Sequence, residues 1–275
     1  MTSQKTWLIT GAGRGLGRAI TLAALDAGHS VVATVRGTHD LPVSDQLLVR
    51  ELDVRNRADV LLVVEDTIGR FGSLDVVVNN AGYGLIGAVE EISEGEAREI
   101  LDTDLLGPLW VSQAAIPVMR RQGGGHIVQI STVGAAGTMP TLGLYNAAKW
   151  GLEGFSEAMA AEVAHFGIRV TVAEPGAIAT DWAGKSMRFS SPVPAYDELR
   201  ESLFGSPIVP WPASETDDGA SDGTPASEIA AALLAHVQDP EDTRLRLLLG
   251  DDAPGQVRAA LDLRLRDYSR DPRFD

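Results

Sequence analysis

The stretch Thr10-Gly-Ala-Gly-Arg-Gly-Leu-Gly17 places four glycines in eight positions, between an apolar run and a helical pattern. Glycine adopts the backbone angles of so tight a turn without steric cost and lets other atoms approach the main chain closely. A strand that turns this way into a helix leaves the first helical N–H groups facing outward, which suits an anion such as a pyrophosphate. The spacing Gly11-x3-Gly15-x-Gly17 departs from G-x-G-x-x-G. Its weight comes from the strand–turn–helix setting, not from the glycines alone. Gly11, Arg14, Gly15, Leu16 and Gly17 are the first candidate binding residues.

From residue 5 to 180, short apolar runs alternate with longer helical stretches. Strands are expected at 6–10, 30–35, 46–52, 74–78, 126–130 and 169–173, and helices at 15–28, 56–70, 96–121 and 144–166. Most of the strands are nearly continuous in apolar residues, the pattern of strands buried on both faces. The alternation predicts an α/β fold: a doubly wound parallel sheet with helices on both faces, three layers in all, in one domain over 1–275. Residues 181–224 break the order with five aromatic residues, five prolines and an acidic, small-residue end that reads as a mobile loop. This segment is either a lid over an apolar substrate or a satellite cluster or subunit contact. Trp182, Phe189 and Tyr196 are its candidate lining residues. A helix at 227–238, a strand at 244–249 and a helix at 254–266 follow, and 267–275 reads as a flexible tail.

Composition narrows the function classes. With 38 acidic against 23 basic residues, the chain carries a formal charge of −15, which disfavours nucleic acid and anionic membranes as partners. Any bound anion must be held by a few local cations. The chain has no cysteine, so disulfides, thiolate nucleophiles and Cys-ligated zinc are excluded. The five histidines are scattered without metal-ligand spacing, so no metal site is expected. A polar start predicts no signal peptide, and no apolar run reaches the ~18 residues of a membrane span. The expectation is a cytoplasmic protein with a small-molecule ligand.

Two further patterns carry chemistry. At the end of the second strand, an acidic residue would hold a ribose 2′-hydroxyl, whereas an arginine accommodates a 2′-phosphate. Val35 occupies the acidic slot, Arg36 follows it, and Arg14 supplies a second cation. Guanidinium–phosphate contacts are strong and bidentate, so NADP(H) is favoured over NAD(H). Tyr145 and Lys149 stand four residues apart at a helix start, hence on one face. A lysine cation near the phenol would lower its pKa and make it a usable acid or base. Thr132 lies just past the strand at 126–130, where a hydroxyl can donate to a carbonyl oxygen. Its neighbour Ser131 reads better as a turn cap.

Together, Thr10–Gly17, Asn79-Asn-Ala-Gly82, Tyr145-x3-Lys149 and Pro175-Gly-Ala-Ile-Ala-Thr180 resemble, in order and spacing, the short-chain dehydrogenase/reductase family over about residues 5–182. Arg244-Leu-Arg-Leu-Leu-Leu-Gly-Asp-Asp-Ala253 resembles a subgroup of it. The resemblance implies a Rossmann-type sheet of seven strands and hydride transfer between nicotinamide C4 and a carbonyl or alcohol carbon. It makes Tyr145 the proton donor or acceptor, gives Lys149 the tuning of Tyr145 and the nicotinamide ribose, and puts Thr132 where serine is usual. Asp53 and Val54 would meet the adenine, Asn79 the cofactor ribose region, and Ile178 and Thr180 the nicotinamide side. The variable substrate loop of the family falls on 181–224, which favours the lid. A homodimer or homotetramer through helices near 105–121 and 146–165 is also implied.

Asp104 stands where the family has an asparagine that holds a water in a proton relay. Aspartate loses the amide donor, and a carboxylate near Lys149 would hold the lysine protonated and partly cancel its effect on Tyr145. A working relay, and with it ketone reduction, is the expected outcome. The alternatives are altered chemistry such as an epimerase or dehydratase, a non-catalytic NADP(H) sensor, and a scaffold.

Overall fold

Uninterrupted apolar strands need cover on both faces, and the fold supplies it. A computed structural model describes residues 4–179, 186–210 and 223–274. The strands are β1 (Thr6–Ile9), β2 (Ser30–Val35), β3 (Leu47–Glu51), β4 (Val76–Asn79), β5 (Gly84–Ile86), β6 (Gly125–Ile130), β7 (Ile168–Pro175), β8 (Ile178–Ala179), β9 (Met187–Phe189), β10 (Thr224–Pro225) and β11 (Arg246–Leu249). The helices are α1 (Gly15–Asp26), α2 (Arg57–Phe71), α3 (Glu94–Leu101), α4 (Gly107–Gln122), α5 (Gly143–Val163), α6 (Asp197–Phe204), α7 (Ala226–Gln238) and α8 (Ala253–Tyr268).

Seven parallel strands form the central sheet in the order β3-β2-β1-β4-β6-β7-β11. Strand residues alternate between faces. Trp7, Ile9, Val31, Val78 and Leu247 pack under α1 and α7, while Leu8, Val32, Val77, Ile127 and Val170 pack under α2, α4 and α5. The result is the seven-stranded, three-layer Rossmann-type architecture expected from the sequence. The strand order reverses between β1 and β4. In doubly wound sheets, ligands bind at such a reversal, beyond the carboxyl ends of the strands.

Local signals set the element ends. The Asn56 side chain accepts the N–H groups of Ala58 and Asp59 to start α2, which stops at Gly72 in the left-handed region (φ 82°). Ser93 and Glu96 form a reciprocal capping box on α3.

Two expectations need correction. The single helix expected at 96–121 is three pieces: α3, a π-helical turn Asp102–Leu106 and α4. The break in the spiral is placed where Asp104 must turn inward, and such π bulges concentrate at functional sites. The segment after β8 also carries regular structure that its loop-like composition hid. β9 pairs in parallel with β5 (Leu85 opposite Arg188), and α6 follows. Arg200, 1% exposed, anchors α6 by donating to Glu91, Asp197 and the carbonyls of Val193 and Pro207. The loop expected at 214–224 falls almost wholly outside the described residues, as do Thr180 and Trp182. At the carboxyl end, α8 closes through turns to Phe274, whose ring stacks on Tyr268 at 5.4 Å.

Candidate active site

The glycine turn is built to lie against the end of β4. Gly11 has φ 66°, and a Cβ there would sit 2.8 Å from Ala81 Cα; one on Gly17 would sit 2.5 Å from Gly11 O. Gly15, at φ 54°, opens α1. The first turn of α1 has no side-chain cap and no acidic residue, so its N–H groups and positive dipole end are left for an anion. That uncapped terminus above a glycine turn fits a dinucleotide pyrophosphate. Arg14 and Arg36 are both exposed near it. Beyond β2 lies a cavity of about 560 Å³ lined by Val35, Gly37, Thr38, His39, Val49 and Glu51.

The Asn79 side chain turns away from the glycine turn. It follows Val77 onto the α4 face, where the amide donates to Ser112 Oγ (3.2 Å) and Pro108 O. The neighbouring Asn80 braces the turn instead, donating to Thr10 O (2.9 Å) and Gly11 O (3.1 Å). Strand alternation holds the signal for this difference, but an all-apolar strand does not reveal which face is which. Leu16, 8% exposed, packs into the core, so only its main chain is left for a ligand. Asp53 is bridged by Arg55 at 2.6 Å, which lowers its pKa. Val54 is buried against Gly107.

The remaining candidates converge at the carboxyl ends of β4 and β6. Lys149 reaches from α5 to donate to Ile130 O at 3.1 Å. Its Nζ lies 3.3 Å from Asp104 Oδ2 and 5.8 Å from the centroid of the Tyr145 ring. Asp104 is wholly buried and accepts the Tyr83 N–H at 3.2 Å. Gly82 leaves it room, because a Cβ there would fall 2.6 Å from Asp104 Oδ2. Burial raises the pKa of Asp104, and Lys149 opposes that rise.

Tyr145 is buried, and its ring packs among Tyr83, Leu85 and Ile100. Burial and then the Asp104 charge push its pKa upward, and a hydrogen bond with the Thr132 side chain works against them. The expected lowering by Lys149 is therefore not what this arrangement produces, since the lysine charge is taken up by Asp104. Thr132 Oγ1 also accepts the Gly134 N–H at 3.2 Å, capping the short helical turn Val133–Ala135. The capping role expected of Ser131 thus belongs to Thr132. Ser131 instead donates to Glu153 Oε1 at 2.6 Å, away in the protein interior.

The lid candidates are less converged. Phe189 is half-buried on β9. Tyr196 donates its hydroxyl to Glu90 at 2.7 Å, a contact at the surface. Ile178 is half-buried on β8, paired with Thr224. No group of His, Cys, Asp and Glu among the described residues could hold a metal ion, and no described helix is long and apolar enough to cross a membrane.

Arg264, on α8, is a contributor that the sequence did not flag. It stacks on the Trp150 ring at 4.8 Å and donates to Ala136 O at 2.8 Å, bracing the loop that carries Thr132.

Known proteins are similar to this chain in sequence and in fold. An oxidoreductase of Botryotinia fuckeliana, BOA17, is 39% identical over 277 aligned residues covering 96% of this chain and 98% of its own. The crystal structure of a short-chain dehydrogenase from Streptomyces avermitilis superposes with a TM-score of 0.84 at 34% identity, covering 98% of each chain. An alcohol dehydrogenase from the archaeon Thermococcus sibiricus, solved with 5-hydroxy-NADP, gives a TM-score of 0.69 at 26% identity over 90% of this chain and 97% of its own. Residues 5–190 match the family described as short chain dehydrogenase. With glycine turn, Tyr145 and Lys149 all in place in the fold, the chain belongs to the short-chain dehydrogenase family of oxidoreductases.

Proposed function

We propose that this protein is an NADPH-dependent reductase of ketones carried on fairly apolar small molecules. The observation that carries the reading is the placement of a buried Tyr145, hydrogen-bonded with Thr132, beside Lys149 in a sheet whose strand order reverses. A substrate carbonyl oxygen set between Thr132 and Tyr145 would receive two hydrogen bonds, which stabilise the negative charge that develops on it. Tyr145 then gives that oxygen its proton. When bound at the glycine turn, NADPH would supply the hydride that the carbonyl carbon takes up. Lys149 would hold the nicotinamide ribose, and Arg14 and Arg36 would favour the 2′-phosphate of NADPH. The relative solved with an NADP analogue is consistent with that preference. The apolar packing around Tyr145 supports an apolar substrate.

A carbonyl panel run with NADPH and with NADH, read by cofactor absorbance, tests this. Consumption of NADPH in preference to NADH with at least one ketone is the expected result. An Arg36→Asp variant should lose that preference. A wild-type preference for NADH would overturn the roles given to Arg14 and Arg36. NADPH binding without turnover of any ketone would overturn the reductase reading.

A further inference from the structure

The Asp104–Lys149 pair does more than replace one relay residue with another. Asp104 is wholly buried, and its described partners are donors, the Tyr83 N–H and the Lys149 ammonium. The π turn that turns it inward and the missing side chain at Gly82 both serve to seat it. Wherever the proton sits within this pair, the pair is net neutral. An asparagine at 104 would leave the lysine charge uncompensated beside the Tyr145 phenol, and an uncompensated cation favours the phenolate.

The charged and titratable groups facing this centre are few. Tyr145 and Lys149 come from α5, and Arg36 acts from the end of β2. Tyr83, after β4, has its phenol pushed up to about 12 by burial. From α3, Glu99 faces Tyr83 and is paired with Arg188 and, at 4.0 Å, with Arg55. α4 carries no acid in its first turn, and its basic residues, Arg120 and Arg121, lie in its last turn. Among the described residues, Asp104 is the acid paired with Lys149.

Resting on the reductase reading, we infer that Asp104 fixes the working direction of the site: by neutralising Lys149 it keeps Tyr145 as a proton donor, so carbonyl reduction persists into alkaline solution and alcohol oxidation is confined to strongly alkaline solution. In reduction, the carbonyl carbon accepts the hydride, the carbonyl π bond breaks, and the oxygen takes the Tyr145 proton. The phenolate left behind recovers its proton from water. In oxidation the phenolate must exist before the reaction, and Asp104 makes it scarce at neutral pH.

The test is a tyrosinate absorbance titration of the intact protein from about pH 7 to about pH 12, the range in which phenols ionise. Wild type is compared with Tyr145→Phe, and Asp104→Asn with Asp104→Asn/Tyr145→Phe, so each difference isolates Tyr145. Asparagine preserves the shape and can still accept the Tyr83 N–H. Asp104→Ser serves as a second variant should the first fail to fold. The expected result is a Tyr145 midpoint lower by at least about one pH unit without Asp104. The alkaline limb of kcat/KM for NADPH-driven reduction of ethyl acetoacetate should move down by a similar amount. Unchanged midpoints would overturn the inference even if the enzyme reduces ketones. A shifted midpoint in a protein that reduces no ketone would instead sink the reductase reading and leave the tuning by Asp104 standing.

Discussion

At the scale of single residues, the chemistry depends on atoms held a few ångströms apart. Lys149 is shared between Ile130 O and Asp104, and this fit relies on the absent side chain of Gly82. A Gly82→Ala variant should fold, displace Asp104 and lower kcat by about tenfold or more, since small misplacements in a site are costly. NADPH affinity, followed by fluorescence, should be nearly unchanged. Thr132→Ser should keep most of the activity, whereas Thr132→Ala should lose about a hundredfold in kcat for want of one oxyanion donor. The convergence of Tyr145, Lys149 and Thr132 was legible in the sequence, because it follows from residue spacing on one helix and from the end of a strand. The electrostatic state of Tyr145 was legible only in part: Asp104 stood out as a group that would offset Lys149, but the features that seat it did not. That state depends on which partner Lys149 chooses, and that choice is made by a π turn and a glycine distant in sequence. The exchange of Asn79 for Asn80 has a similar origin, because a one-residue step in a strand changes the face.

At the scale of elements, strand and helix positions followed from apolar runs and caps, and most ends fall within a few residues of expectation. The failures share a physical cause. The π turn at Asp102–Leu106 continues the helical hydrophobic pattern, so periodicity could not separate it from α3 and α4. The region after β8 is rich in proline and polar residues, yet it holds β9 and α6 through long-range contacts that leave no local signature. The chief of these is the buried ion pair of Arg200 with Glu91, 1% and 2% exposed at their side chains. Removing one partner of such a pair strands a buried charge, which costs about 3–5 kcal/mol. Arg200→Ala should therefore lower the melting temperature; if the segment also serves the proposed lid, the KM for substrate should rise more than kcat falls. Unchanged stability would show that α6 is not anchored through this pair.

At the scale of the whole molecule, the net charge of −15 first served only to exclude polyanionic partners. The structure adds that some acids are buried. Glu174, beside Glu153 and Arg246, has its pKa raised to about 7, first by burial and then by Glu153. A carboxyl raised in the folded state contributes stability that is complete below its unfolded value and is lost as pH rises through about 7. Glu174→Gln should accordingly stabilise the protein more at about pH 8 than at about pH 5, as read from melting temperatures. In the opposite sense, the buried His126 has its pKa pushed well down by burial and by Arg169. It sits in a chain that runs from Arg169 through His126, Thr171 and His236 to Asp242. Its contribution is complete above the ordinary histidine range and declines as pH falls below about 6.5. The global fold was the most legible level, because a doubly wound sheet follows from alternation and from one glycine turn. The proposed reaction rests on one phenol. The most direct measurement is NADPH consumption with a ketone substrate, comparing wild type with Tyr145→Phe at matched NADPH binding. Loss of about a hundredfold or more in kcat with binding retained is predicted. Equal rates in the two proteins would contradict the assignment of Tyr145 as proton donor.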